Sequence, residues 1–198
     1  MRTLKELTSI TLGYSFRRRI ESTSDGNLCI ILMKDINKNI LNYKGFYKIE
    51  TDKKIKEDFY ISKGDILFSA KGSHNNAVYI ERDLTETVAS AHFYILRIKA
   101  NTLLPEYLAW YINQKPAQSY IQKYSRGTAI NYINRQNLEN LEVAVPDLET
   151  QKKITALYNL SVRETELISQ IHDFKNKVTN QVLINKVFES NKEDSHEE

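Results

Sequence analysis

The sequence predicts an α/β (α+β) domain built on a twisted mixed sheet and followed by a long C-terminal coiled-coil helix. Three observations lead there. Between residues 28 and 99, short apolar and β-branched runs alternate with Gly-, Asn- and Asp-containing turns, the pattern of strands. Between residues 105 and 124 the apolar side chains recur at helical spacing. From Thr150 to Phe188 the chain contains neither Gly nor Pro, so nothing interrupts a helix there.

Taken in order, Leu4, Leu7 and Ile10 share three-residue spacing and predict a short helix or turn that Gly13 ends. Residues 28–33 form a continuous apolar run suited to a buried strand, and Asn37, Asn39 and Asn42 then mark turns. Residues 59–61 and 65–70 predict two strands around the Lys63-Gly64 turn, and residues 77–80 and 87–99 continue the β pattern after a polar loop. Pro105 suits a first helical turn, and Tyr107, Leu108, Tyr111 and Ile112 follow at helical spacing. Lys115-Pro116 disfavours continuation, and Ala117, Tyr120, Ile121 and Tyr124 restart the pattern until Gly127, which predicts a helix pair or one kinked helix. Leu141, Val143 and Val145 predict a last strand, closed by Pro146.

In the final segment Leu157, Leu160, Leu167, Ile171, Phe174 and Val178 keep three-four spacing, with Glu164 interrupting the seam and Gln181 weakening its far end. Such a helix would extend roughly 55 Å. It either folds back on its own sheet or needs a second helix, and the length favours the second. The expected division is residues 1–147 as a globular domain, 148–188 as a dimerisation and spacer helix, and 189–198 as an acidic disordered tail.

The 198 residues are 41% hydrophobic and 27% charged, with six Gly and three Pro, which excludes a globally disordered chain. No apolar run reaches the length of a membrane span, and the opening places the run Arg17-Arg18-Arg19 after the apolar stretch, unlike a secretory leader. A cytoplasmic protein with no membrane partner is expected. Cys29 stands alone in an apolar run and reads as a buried strand thiol rather than a disulfide or multi-cysteine metal site. Net charge is +3, but the last ten residues carry −4, which leaves +7 on the first 188. That excess permits a nucleic-acid partner without requiring one.

Several motifs, taken in sequence, are similar to one family. Residues 125–154 place a Gly127-Thr128 turn before Leu138 and Leu141, then Val143, Val145, Pro146, Gln151 and Ile154. Upstream stand Gly13-Tyr14-Ser15-Phe16, Lys63-Gly64-Asp65-Ile66-Leu67-Phe68, Lys71-Gly72-Ser73 and Pro105 with Tyr107-Leu108. This order resembles the specificity subunits of Type I restriction-modification systems. Pro146-Asp147 and Thr150-Gln151 hold half of the Pro-Pro and Glu-Gln pairs usual at those places.

The resemblance implies a target-recognition domain that binds double-stranded DNA. It also implies a separate adenine methyltransferase (modification) subunit and a restriction or translocase subunit as partners. S-adenosylmethionine, and ATP with Mg²⁺ where restriction occurs, would belong to those partners, with no cofactor in this chain. A complete subunit of that kind has two recognition domains and two antiparallel helices. This chain would dimerise to complete one and so address a bipartite, inverted-repeat site.

Candidate DNA contacts fall in three places. Arg17, Arg18 and Arg19 form a cationic run suited to phosphates, or an ordinary solvated loop. Lys71, Ser73, His74, Asn75 and Asn76 offer groups that bond base edges, or form a polar turn. Arg126, Thr128, Asn131, Tyr132, Asn134 and Arg135 surround Gly127, and read either as a DNA-facing loop or as a packing turn.

No catalytic site is expected: the chain lacks the Pro-Pro-aromatic element of a DNA methyltransferase, a nuclease carboxylate cluster and a nucleophile elbow. The competing reading from another class is a protein-interaction scaffold or antirestriction decoy that pairs with a full specificity subunit.

Overall fold

A computed structural model describes residues 1–16, 22–37, 39–72, 75–125 and 131–193, and the side chains of residue 131 and of residues 187–193 lie outside that description. The chain divides into two units, Met1–Lys153 and Ile154–Glu198.

The first unit begins with β1 (Arg2–Thr3), α1 (Leu4–Leu7) and β2 (Thr8–Leu12). The helix expected to carry Ile10 stops at Leu7, because Thr8-Ser9-Ile10-Thr11 is a β-favouring run with a sheet edge to join. Ile10 lies opposite Leu96 in that sheet. Then come β3 (Leu28–Ile31), the hairpin β4 (Ile36–Asn37) and β5 (Ile40–Leu41), β6 (Tyr47–Ile49), β7 (Ile66–Ser69), β8 (Lys71–Gly72), β9 (Ala77–Tyr79), β10 (Thr87–Ala89) and β11 (Phe93–Ile98). Two helices, α2 (Pro105–Ile112) and α3 (Lys115–Tyr124), precede β12 (Asn131–Tyr132), α4 (Arg135–Glu139), β13 (Glu142–Val143) and the start of α5 (Leu148–Glu193).

The β region separates into two main sheets among the described residues. One is antiparallel throughout, in the order β2-β11-β7-β9; the other, β10-β3-β6, is mixed, with β10 parallel and β6 antiparallel to β3. The run 87–99 therefore serves both sheets, its break falling where Phe93 N–H bonds the Ser90 carbonyl at 3.0 Å. Ile31, Ala89, Leu67, Val78, Phe93 and Ile95 from the two sheets share one buried cluster. All four residues of β7 are buried, which explains why its sequence is a continuous apolar run rather than an alternating one. Cys29 lies in β3 with a free thiol, half-buried rather than fully buried.

Asp65 shows how the turn before β7 is fixed. Its carboxylate accepts the Ser62 N–H at 3.0 Å and two Arg97 N–H groups at 2.9 and 3.1 Å, while Arg97 also donates to the Tyr60 carbonyl. Side-chain exposure is 6% for Asp65 and 30% for Arg97, so the pair is bidentate and largely desolvated.

Other departures from the expected elements have local causes. Residues 59–61 are not a strand: Glu57–Phe59 is a 3-10 turn, and Tyr60 makes a single bridge to Val88. β6 and α4 are too short to raise a periodic signal. The strand expected over 141–145 is paired only at Glu142 and Val143, which face Thr3 and Arg2 of β1.

α5 starts two residues before Thr150, where the Asp147 carboxylate takes the Thr150 N–H at 2.9 Å and the Thr150 hydroxyl at 2.7 Å. This is an N-terminal cap. The helix continues to Glu193, into the segment expected as an acidic tail; residues 194–198 lie outside the described part.

The second unit is the remainder of α5. Its seam residues are exposed, among them Leu157 (68%), Ile171 (65%) and Phe174 (69%), and Leu160, Leu167 and Val178 are exposed with them. No helix among the described residues is long and apolar enough to cross a membrane.

Candidate nucleic-acid interface

Two polar segments separated by more than fifty residues are paired in space. β8 and β12 form an antiparallel ladder in which Asn131 faces Gly72 and Tyr132 faces Lys71. The Ile133 N–H extends the contact to the Ala70 carbonyl at 3.3 Å, and the buried Ile133 anchors it to the core. Gly72 has φ +146°, a backbone conformation that glycine adopts without the cost a Cβ would bring. The Lys-Gly and Asn-Tyr motifs are thus the two sides of one β-ribbon.

On that ribbon Lys71 is exposed and its Nζ lies 5.5 Å from the centre of the Tyr132 ring, within cation–π range. Tyr132, 37% exposed, places its hydroxyl 3.3 Å from that of Tyr94. Burial, then the hydrogen bond with Tyr132, pushes the Tyr94 phenol far above its ordinary range, so it stays neutral. The result is an exposed ammonium and a half-exposed aromatic face held by a buried tyrosine. Such a pair can contact a phosphate and stack or pack against a sugar or base.

The other candidates are distributed unequally. Asn134 caps α4, its Oδ1 accepting the Asn137 N–H at 2.8 Å. Arg135 is exposed but its Nε donates to Glu139 at 2.7 Å. Asn76 is half-buried, and its carbonyl accepts the Ser69 N–H at 2.8 Å. Asn75 is 5% exposed, and its amide donates to the Ser69 carbonyl at 2.8 Å. Its amide is thus engaged within the loop. Arg17, Arg18, Arg19, Ser73, His74, Arg126 and Thr128 lie outside the described residues, as does the side chain of Asn131.

The residues that hold this loop carry no signal in the sequence. Asn113 clamps Ala77, accepting its N–H at 2.9 Å and donating to its carbonyl at 2.7 Å. Gln118 donates to the Asn75 carbonyl at 3.0 Å, and the Ser125 hydroxyl lies 3.5 Å from Asn75 Oδ1. Isolated amides on helices have no local signature, so only the spacing from α2 and α3 could have pointed to them. Among the described residues no group of His, Cys, Asp and Glu is placed to hold a metal ion.

Comparison with known proteins bears on the family and the fold. The chain is 30% identical over 115 residues to the Type I restriction enzyme HindI specificity subunit of Haemophilus influenzae, an alignment that covers 57% of this chain and 25% of that protein. Among solved structures, the Type I restriction-modification S subunit of M. genitalium matches with a TM-score of 0.59 at 17% identity, over 89% of this chain and 42% of that one. The HsdS subunit of Thermoanaerobacter tengcongensis matches at 0.58 and 16%, over 86% and 43%. The chain thus spans less than half the length of each of these relatives. The description "Type I restriction modification DNA specificity domain" fits residues 1–173, and by that match the chain belongs to the Type I restriction-modification DNA specificity family.

Proposed function

We propose that this chain is a non-catalytic, sequence-specific DNA-recognition subunit that directs a separate adenine methyltransferase, and a restriction subunit where one is present, to its site. The observation that carries the reading is the β8–β12 ribbon, which presents Lys71 and Tyr132 together at the junction of the two loops most suited to DNA contact. Base edges would be read by side chains of those loops, while phosphates would be held by Lys71 and the cationic run 17–19. S-adenosylmethionine, ATP and Mg²⁺ would act in the partner subunits, and the complex would work in the cytoplasm with its DNA.

The exposed seam of the second unit supports pairing of two copies, and two identical recognition domains related by a two-fold axis address an inverted, bipartite target. The helix between them would set the spacing of the half-sites.

The test is to purify the tagged chain from its native cells with its associated subunits, map methylated adenines, and measure DNA affinity against salt. Methylation at inverted half-sites, with affinity falling steeply as salt rises, is the expected result. Recovery of only a full-length specificity subunit, with salt-insensitive association and no DNA binding, would instead support the scaffold or decoy role.

A further inference from the structure

The outer face of α3 carries positive charge and no carboxylate. Lys115, Pro116, Ser119, Gln122 and Lys123 are exposed, while Ala117 and Ile121 are buried. At 3.6 residues per turn the exposed positions share one stripe, opposite the buried pair. That stripe holds two lysines, and the helix contains neither Asp nor Glu.

The C-terminal end of this helix lies at the base of both candidate DNA loops. The hydroxyl of its capping residue Ser125 is 3.5 Å from Asn75 Oδ1, and further along the chain Asn131 faces Gly72. Just before that junction, Lys123 Nζ lies 5.3 Å from the centre of the Tyr124 ring. Tyr124 is 38% exposed and packs on Tyr120, the ring centroids 4.6 Å apart. Asn137 fixes both: its carbonyl accepts the Tyr120 hydroxyl at 3.0 Å, and its amide donates to the Tyr124 carbonyl at 3.1 Å. Lys123 and Tyr124 thus repeat on a helix the chemistry of Lys71 and Tyr132 on the ribbon.

The ion pairs of the chain sharpen the contrast. Each arginine with a described side chain meets a carboxylate: Arg2 with Glu6, Arg82 with Glu81, Arg97 with Asp65, Arg135 with Glu139 and Arg163 with Glu166. Among the described residues Lys115 and Lys123 belong to no such pair. Helix stability accounts for only one of them: a cation suits the last turn, where Lys123 stands, and opposes the dipole in the first, where Lys115 stands. An ammonium is a compact point charge that suits phosphate, whereas planar, two-pronged recognition belongs to arginine.

We infer that α3 is a second phosphate-binding face of the recognition domain, on which Lys115 and Lys123 grip the DNA backbone beside the bases that the two loops read. This rests on the DNA-recognition reading above and adds to it a surface outside those loops. Along the helix axis the two lysines are about 12 Å apart, a length in which one strand of duplex DNA presents about three to four phosphates. Ser119 and Gln122, on the stripe between them, offer uncharged donors to the same backbone. A face of this chemistry adds affinity for any duplex and no preference among sequences.

The experiment uses the full chain with its associated subunits, carrying Lys115→Ala, Lys123→Ala or both. Affinity for a duplex with the methylation site and for a scrambled duplex is measured by fluorescence anisotropy over a series of salt concentrations. The slope of log affinity against log salt should fall by about 1 for each lysine removed and about 2 for the pair, equally on both duplexes. Lys115→Arg with Lys123→Arg should keep the parent slope. Both lysines are exposed, so thermal unfolding of every variant should match the parent.

An unchanged slope in the double alanine variant would overturn the inference and leave α3 a solvated face. A changed ratio between the two duplexes at unchanged slope would also overturn it, because the lysines would then be positioning the loops. Loss of the methyltransferase subunit at unchanged slope would make the stripe a docking face for an acidic protein surface instead. In each of these cases a salt-dependent parent leaves the DNA-recognition reading standing. A parent that binds neither duplex in a salt-dependent way would overturn that reading and this inference with it.

Discussion

Gln151 accepts the Leu104 backbone N–H through Oε1 at 2.9 Å and donates through Nε2 to the carbonyls of Thr102 and Pro146 at 2.8 and 2.7 Å. It is completely buried. One carboxamide therefore ties the first turn of α5 both to the residue that caps α2 and to the proline that ends the strand region. Gln151→Ala should cost about 3 kcal/mol in urea denaturation, since it leaves a buried donor and buried acceptors without partners. Gln151→Glu should be worse at neutral pH, because a carboxylate cannot donate to the two carbonyls. Part of that loss should return on acidification, when the protonated group regains one donor.

Gly13 is the second fixed point. Its N–H bonds the Phe93 carbonyl at 2.9 Å, and the next residue bonds Ala89 at 2.7 Å. A Cβ built on Gly13 would lie 2.7 Å from the Ala89 carbonyl oxygen and closer still to that of Ser90. Gly13→Ala should therefore destabilise the chain by about 2–3 kcal/mol through overpacking against backbone that cannot yield. Ordinary denaturation curves would reveal it, and a neutral effect would mean that β2 and the β10 turn can separate. By its sequence neighbours this glycine reads as a helix stop; the close approach that makes it necessary is a long-range contact and leaves no local trace.

Legibility follows the range of the forces. The helices at 105–112 and 115–124, and the long helix, are readable because apolar periodicity and proline placement are local. The partition of strands into two sheets is not, because Thr87-Val88-Ala89 and Phe93-Tyr94-Ile95 have the same β character and differ only in their distant partners. In the candidate interface, Lys71 and Tyr132 are readable as residue types, but their pairing across β8 and β12 is not. The inward bond of Asn75 is illegible for a related reason: an asparagine in a polar loop looks the same whether it faces solvent or the loop's own carbonyls.

The start of α5 predicts a pH response. The carboxyl of Asp147 is held below its ordinary value of 3.8, chiefly by the Thr150 backbone N–H and then by the Thr150 hydroxyl. A folded-state value lowered in this way gives a contribution that is full above the ordinary value and is lost as pH falls through the lowered one. Asp147→Asn keeps a capping oxygen but removes the titration. The stability difference between the parent and this variant should be constant at neutral pH and shrink only in acid, below about pH 4. Carboxyl chemical shifts followed by NMR across that range would give the same answer directly.

The last prediction separates positioning from reading at the proposed DNA surface. Lys71 contributes one exposed charge, so Lys71→Ala should weaken binding to all sequences alike and reduce the slope of log affinity against log salt by about 1. Tyr132→Phe keeps the ring beside Lys71 and removes only the hydroxyl that meets Tyr94, so the salt slope should stay unchanged and affinity should fall little. Tyr132→Ala removes the ring and should cost about 1–3 kcal/mol of binding if a base or sugar packs there, again without altering the slope. Fluorescence anisotropy with a methylation-site duplex and a scrambled one, over a series of salt concentrations, measures all three. If Lys71→Ala left the slope intact while Tyr132→Ala left affinity intact, the β8–β12 ribbon would be a structural support, and DNA contact would have to lie elsewhere on the domain.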